Sequence, residues 1–275
     1  MRYAATYTNK LTTQQLLEFD EIIIKYNERL EALYEFCKQH QPQRIIIYID
    51  DIDYCIEHRT IHKLNVFHET YPQFNLAIQL GAEGRFNEAL LQKCLRAYLD
   101  VESRLPIFFG MYASTFEELE AMSAFAMSDL YITEDLGFDL ARVRHICGDK
   151  VTIRAIANIA QSKVRSTLPI LQFFIRPEDV KTFEMGIDVI QFWGPEDRQS
   201  VLLTIYKGGN WYGDLKDLIL DFAGSIESRR IIPNFAFART TCQRRCMKGD
   251  ACRYCFHVMD TAESLKKKEL IIADK

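Results

Sequence analysis

The sequence has no strong excess of either charge, no long apolar run, no Gly/Ser-rich linker, no exact internal repeat and none of the short signatures that name a reaction outright. Lys and Arg number 34 against 38 Asp and Glu, a net charge of −4. That balance supplies no global field for nucleic acid, so any basic patch has to be local. No stretch approaches the roughly 18 consecutive apolar residues needed to cross a bilayer. Met1–Asn9 is short, mixed and polar, unlike a secretory leader. A cytoplasmic protein with no membrane partner is therefore expected. H-E-x-x-H, a phosphate-cradling glycine loop and G-x-S-x-G are all missing, as is the glycine fingerprint that follows the first strand of a dinucleotide fold.

What is present is the composition of an ordinary globular chain, 48% hydrophobic and 26% charged over 275 residues, enough for one large α/β domain or two small ones. Short β-branched runs alternate with amphipathic segments. Thr12-x-x-Gln15 reads as a capping box. Beyond it Leu16, Phe19, Ile23, Tyr26, Leu30, Leu33 and Cys37 step by three and four residues, which predicts one long helix from Thr12 to about His40, ended by Pro42. Strands are predicted at Tyr3–Tyr7, Arg44–Ile49, Asn75–Leu80, Pro106–Met111, Asp129–Thr133, Val151–Ala157, Ile170–Ile175 and Asp188–Phe192. Helical patterns lie between most of them, near His58–Glu69, Arg85–Val101, Thr115–Met127, Leu140–Cys147 and Glu178–Met185. Eight such steps are what closes a (β/α)₈ barrel. An open doubly wound sheet is the rival, because Asn158–Leu168 holds no convincing helix. The expected organisation is a barrel over residues 1–194 and a helical, cysteine-bearing extension over 195–275.

Eight cysteines in a reducing compartment point to metal where they cluster and to core packing where they do not. Cys37, Cys55, Cys94 and Cys147 are scattered along apolar segments and read as buried thiols. Cys242-x₃-Cys246-x₅-Cys252-x₂-Cys255 is different. Four thiolates on so short a loop can converge on one ion or cluster, and without a metal their convergence would be opposed by like-charge repulsion. Gly249-Asp250 supplies a reversal, and Arg239, Arg244, Arg245, Lys248 and Arg253 offer a local positive field that lowers thiol pKa. A [4Fe–4S] cluster and a Zn²⁺ ion both accept this donor set, and the spacing does not choose between them.

In a barrel, chemistry sits at the C-terminal ends of the strands. Asp50, Glu134, Arg176 and Trp193 each follow an apolar run; Asn158 and Gln191 complete a set of acids, amides, a guanidinium and an aromatic suited to a polar substrate. Asp50, Glu134 and Arg176 are the candidate catalytic residues, and Asn158, Gln191 and Trp193 the candidate substrate contacts. Asp51, Asp53 and Asp179 read instead as helix caps. Arg176 is expected at the end of strand seven, aimed into the mouth.

Asp129–Gly137 (DLYITEDLG), Val151–Gln161 (VTIRAIANIAQ) and Phe174–Val180 (FIRPEDV) resemble consecutive barrel strands of the collagenase-like peptidase family. That family includes barrel proteins of RNA and ubiquinone hydroxylation, several with a four-cysteine [4Fe–4S] site. The resemblance implies a barrel enzyme or accessory protein with a redox cluster. In that family the cysteines are dispersed, whereas here all four share one loop, so no residue role is carried over. The resulting expectation is a barrel enzyme, or enzyme subunit, that modifies a polar small molecule or RNA with help from an iron–sulfur centre. The alternatives are a zinc-stabilised hydrolase or lyase, or a non-catalytic protein whose basic cysteine loop docks on nucleic acid or a partner protein.

Overall fold

Runs of β-branched residues become the wall of a closed barrel. The computed structural model describes residues 1–7, 11–125, 127–132, 136–157, 175–184 and 186–211, with the single positions 213 and 218. The strands are β1 (Arg2–Tyr7), β2 (Glu21–Lys25), β3 (Ile45–Ile49), β4 (Leu76–Arg85), β5 (Ile107–Ala113), β6 (Asp129–Ile132), β7 (Thr152–Ile156) and β8 (Val189–Phe192). All eight are parallel and paired in chain order, and β8 returns to β1 through Arg2↔Val189 and Ala5↔Phe192. The open-sheet alternative is thereby excluded. Helices α1 (Thr13–Leu17), α2 (Leu30–His40), α3 (Ile52–Glu57), α4 (Thr60–Thr70), α5 (Glu88–Leu99), α6 (Phe116–Ser123) and α7 (Leu140–Cys147) occupy the connections, followed by α8 (Val180–Phe183) and α9 (Glu196–Gly208).

The long helix expected over Thr12–His40 is not one element. The capping box is real: Thr12 and Gln15 satisfy each other's backbone donors at the start of α1. The helix nevertheless stops at Leu17. Asp20 accepts from the Tyr3 amide at 2.7 Å and its own amide donates to Tyr3 O at 2.9 Å, which turns the chain along β1. Ile22-Ile23-Ile24 then extends as β2. Three consecutive β-branched side chains suit a pleated surface, and Ile22 and Ile23 are both fully buried because the two faces of the wall are both covered. The helix resumes only at Leu30, after Glu28 takes a left-handed conformation (φ 65°), and it ends at Gln41, again left-handed (φ 47°), before Pro42.

Of the expected strand at Ile170–Ile175, only Ile175 is described. Arg154↔Val189 and Ile156↔Gln191 pair β7 directly with β8, leaving no gap between them. Residues 170–174 lie outside the described residues, and Ile175 itself belongs to none of the eight strands.

The chain divides into two compact units. The first, Met1–Ile156 with Lys181–Leu203, contains the whole barrel; the second is Ala157–Val180 with Thr204–Lys275. Within the second, the Ile175 amide donates to Ala157 O at 3.2 Å, the Tyr206 hydroxyl bonds the Ile175 carbonyl, and the Trp211 amide donates to the Glu178 carboxylate at 2.7 Å. No described helix is long and apolar enough to cross a membrane.

Candidate functional site

Along each strand alternate side chains point into the barrel. Side chains that meet from strands not adjacent in the wall must therefore cross its lumen, and they mark two polar layers.

The lower layer lies at the N-terminal ends of the strands. Arg2 opens β1, Glu21 opens β2, Asp129 opens β6, Arg44 immediately precedes β3, and Arg154 reaches the layer from the middle of β7. Arg154 Nη2 stands 2.5 Å from Glu21 and 2.7 Å from Asp129. Arg44 bridges the same two carboxylates, each at 3.2 Å, and Arg2 reaches Glu21 at 3.0 Å. Three guanidiniums thus surround two carboxylates, and Glu21, Asp129 and Arg154 are essentially sealed from water. Burial, the largest influence on Asp129, would raise its pKa; Arg154 and Arg44, with hydrogen bonds from Ser128 and Arg154, outweigh it and hold the carboxyl below its usual range. Burial would likewise discharge Arg154, but Asp129 and Glu21 keep it protonated. The guanidinium carbon also sits 5.0 Å from the centre of the Phe108 ring. This end of a barrel serves stability rather than chemistry. The charged layer is a plug.

The upper layer comes from alternate strands, β4, β6 and β8, through Gln79, Tyr131 and Gln191, all fully buried. The Tyr131 hydroxyl lies 3.2 Å from Gln79 Oε1 and hydrogen-bonds the Gln191 amide; Gln79 Nε2 donates to Gly81 O at 3.3 Å. One hydroxyl proton cannot serve two carbonyl oxygens. A consistent chain has the Gln191 amide nitrogen donating to Tyr131, Tyr131 donating to Gln79, and Gln79 donating to Gly81 O. Gly81 adopts φ 83°, which no side-chain-bearing residue would take without strain, and it opens an irregularity where Leu80↔Phe109 is followed by Gly84↔Met111. The carbonyl that ends the chain thus belongs to the bulge at the upper end of β4.

The mouth itself is the C-terminal rim. Asp50, just after β3, pairs its carboxylate with Lys25 Nζ at 2.5 Å, both partners being well exposed. That hydrogen bond, more than the attraction between the charges, raises the Lys25 pKa. Asp51 caps α3 by accepting from the Tyr54 amide at 2.9 Å, as expected, whereas Asp53 caps nothing there but lies in the first turn and pairs with Lys93 at 2.6 Å. Tyr112 is buried at the end of β5 and Trp193, half-buried, follows β8. Gln199 of α9 clamps the rim: it accepts from the Thr6 amide at 2.9 Å and donates to Thr6 O at 3.2 Å and Gly194 O at 2.6 Å.

Of the six expected mouth residues, Asp50, Gln191 and Trp193 are described in the barrel unit. Gln191 lies in the layer below the rim and Asp50 on the exposed edge. Arg176, read as the end of strand seven, instead precedes the 3₁₀ turn Pro177–Asp179 in the second unit and is buried there, with extended backbone (φ −81°, ψ 156°). Glu134 and Asn158 lie outside the described residues, as do Cys242, Cys246, Cys252 and Cys255. Among the described residues no three His, Cys, Asp or Glu side chains are grouped to hold a metal ion. Cys37, Cys55 and Cys94 are buried, and burial pushes their thiols up to about 12, 11 and 12. Glu21, Gln79, Tyr131 and Asp129 were not singled out by sequence. Their signal was available: each is a polar residue inside or at the edge of an otherwise apolar strand.

No known protein family's pattern matches the chain, and no curated protein matches it. Among solved structures, RipC from Yersinia pestis is similar at 14% identity and a TM-score of 0.39, covering 74% of this chain and 94% of that one.

Proposed function

We propose that the chain is a barrel enzyme, or an enzyme subunit, that modifies a polar substrate at the C-terminal mouth with an iron–sulfur centre held by Cys242, Cys246, Cys252 and Cys255. The observation that carries the reading is the Gln191–Tyr131–Gln79 layer beneath the mouth. Barrel interiors are filled mostly by branched aliphatic side chains. Two buried amides and a phenol are costly unless fully hydrogen-bonded, and they place donors and acceptors where methyl groups would pack more simply. A polar small molecule or an extruded RNA base is proposed to sit at the rim above this sealed layer, which would fix the strand ends that hold the rim residues. Asp50 and Trp193 stand on the rim of that site, and Glu134, Asn158 and Arg176 are proposed as further substrate-handling residues.

The donor set fits the centre. Four thiolates satisfy a [4Fe–4S] cluster, and the surrounding arginines and lysine offset its charge. The same thiolates would accept a zinc ion, and the metal content decides between the two. Purification without air tests this. Brown protein with about four iron and four sulfide per chain, lost together in Cys252→Ser, is the expected result. Colourless protein with one zinc per chain would refute the redox reading in favour of a zinc-stabilised hydrolase or lyase. Protein with no bound metal would favour a non-catalytic role for the basic loop.

A further inference from the structure

A cavity lies outside the lumen. Tyr7, Ile24 and Ile47 are on the outward faces of β1, β2 and β3, out of phase with the inward Glu21, and α2 packs over them. Between this wall and the first turns of α2 is a cavity of about 500 Å³, within the size range of small-molecule sites. Ile24, Leu33, Phe36 and Ile47 form its floor. Leu33 and Phe36 are only half-buried although they lie on the helix face turned toward the wall. Tyr7 and Tyr26 supply aromatic edges, with Phe36 4.8 Å from Tyr7 between ring centres.

The rim is cationic. Lys25 and Arg29 line the cavity, and among the described residues that line it none is acidic. Lys25 is already shared with Asp50. The Arg29 guanidinium has no ion pair among the described residues, while its backbone amide is held by Asn27 Oδ1 at 3.2 Å. The loop that carries it is tied to the wall: the Tyr26 amide donates to Tyr48 O at 2.9 Å, and Glu28, in its left-handed conformation, is near enough to Tyr54 of α3 to be the main cause that pushes the Tyr54 hydroxyl up to about 12. A planar guanidinium on a pinned loop, above an apolar floor, is suited to a bidentate oxyanion.

We propose that this cavity binds a small amphipathic anion, its flat apolar body on the Leu33–Phe36 floor and its carboxylate, sulfonate or phosphate against Arg29. The cavity lies on the outer side of β1–β3 and borders the mouth through Lys25, but it does not depend on the reaction proposed there.

The probe is 1-anilinonaphthalene-8-sulfonate, which fluoresces when its rings leave water. Native protein should bind it saturably at one site. Arg29→Glu should weaken binding at least tenfold, and Leu33→Trp, which fills the floor, should abolish it, with circular dichroism unchanged. Ala32 is exposed and lines the same cavity, so Ala32→Trp replaces Leu33→Trp if the latter unfolds. The uncharged analogue N-phenyl-1-naphthylamine should bind more weakly and ignore Arg29→Glu. No saturable binding, or an affinity that Arg29→Glu and the tryptophan variant both leave unchanged, overturns the proposal.

Discussion

Asp129→Asn tests the charged plug at its centre. The replacement keeps the shape of the side chain while removing the charge that faces Arg154 at 2.7 Å and Arg44 at 3.2 Å. Arg154, fully buried, would then share Glu21 with Arg44 and Arg2, three guanidiniums around one carboxylate. Removing one partner of a buried pair costs about 3–5 kcal/mol, because the survivor stays out of water without compensation. An asparagine oxygen still accepts a hydrogen bond, which places the expected loss near ~3 kcal/mol. Domains of this kind are stable by only about 5–15 kcal/mol in total. Urea unfolding should therefore show a large fall in midpoint with the slope unchanged. The acid limb gives a second readout. The Asp129 carboxyl is held below its usual range, so the fold favours its ionised form. That stabilisation is fully present above the ordinary carboxylate range, about pH 4, and drains away as pH falls through the lower native value. Asp129→Asn should remove this part of the slope and unfold less steeply on acidification. The double replacement Asp129→Leu with Arg154→Met should be less damaging than Asp129→Asn alone. A loss below about 1 kcal/mol in Asp129→Asn, with the acid slope intact, would refute the account of the plug.

Two further outcomes follow from the wall and the upper layer. Tyr131→Phe removes the hydroxyl between Gln79 and Gln191 and should cost about 1–3 kcal/mol in chemical denaturation, since both amides remain buried; a variant as stable as the parent would show that the amides have other partners. Ile22→Glu separates strand from helix over residues 21–25. In the barrel wall it buries a charge and should abolish cooperative unfolding, whereas a soluble variant with the parental melting temperature would restore the single-helix reading.

The sequence by itself determined the class of the fold and most of its wall. Ile45–Ile49, Asp129–Ile132, Thr152–Ile156 and Val189–Phe192 fall inside expected strands, and α7 spans the expected Leu140–Cys147. These segments were legible because both faces of a parallel wall are buried, so each reads as a continuous apolar run bounded by polar turns. Asp51 and the Thr12–Gln15 pair were legible because capping is a local hydrogen bond between residues a few positions apart. β2 was missed, and the expected strand at Ile170–Ile175 lies, apart from Ile175, outside the described residues. No glycine or proline punctuates Thr12–His40, because Glu28 takes the left-handed turn that glycine usually marks, and apolar residues on α1, β2 and α2 happened to fall three and four apart. Only the tertiary structure decided that Ile22–Ile24 seats between β1 and β3, since the hydrogen-bonding partners of a strand are supplied by distant segments. It alone decided the interior as well. Which polar residues meet across the lumen depends on closure, register and inward phase, so Glu21 with Arg154 and Gln79 with Tyr131 are neighbours that no spacing along the chain records.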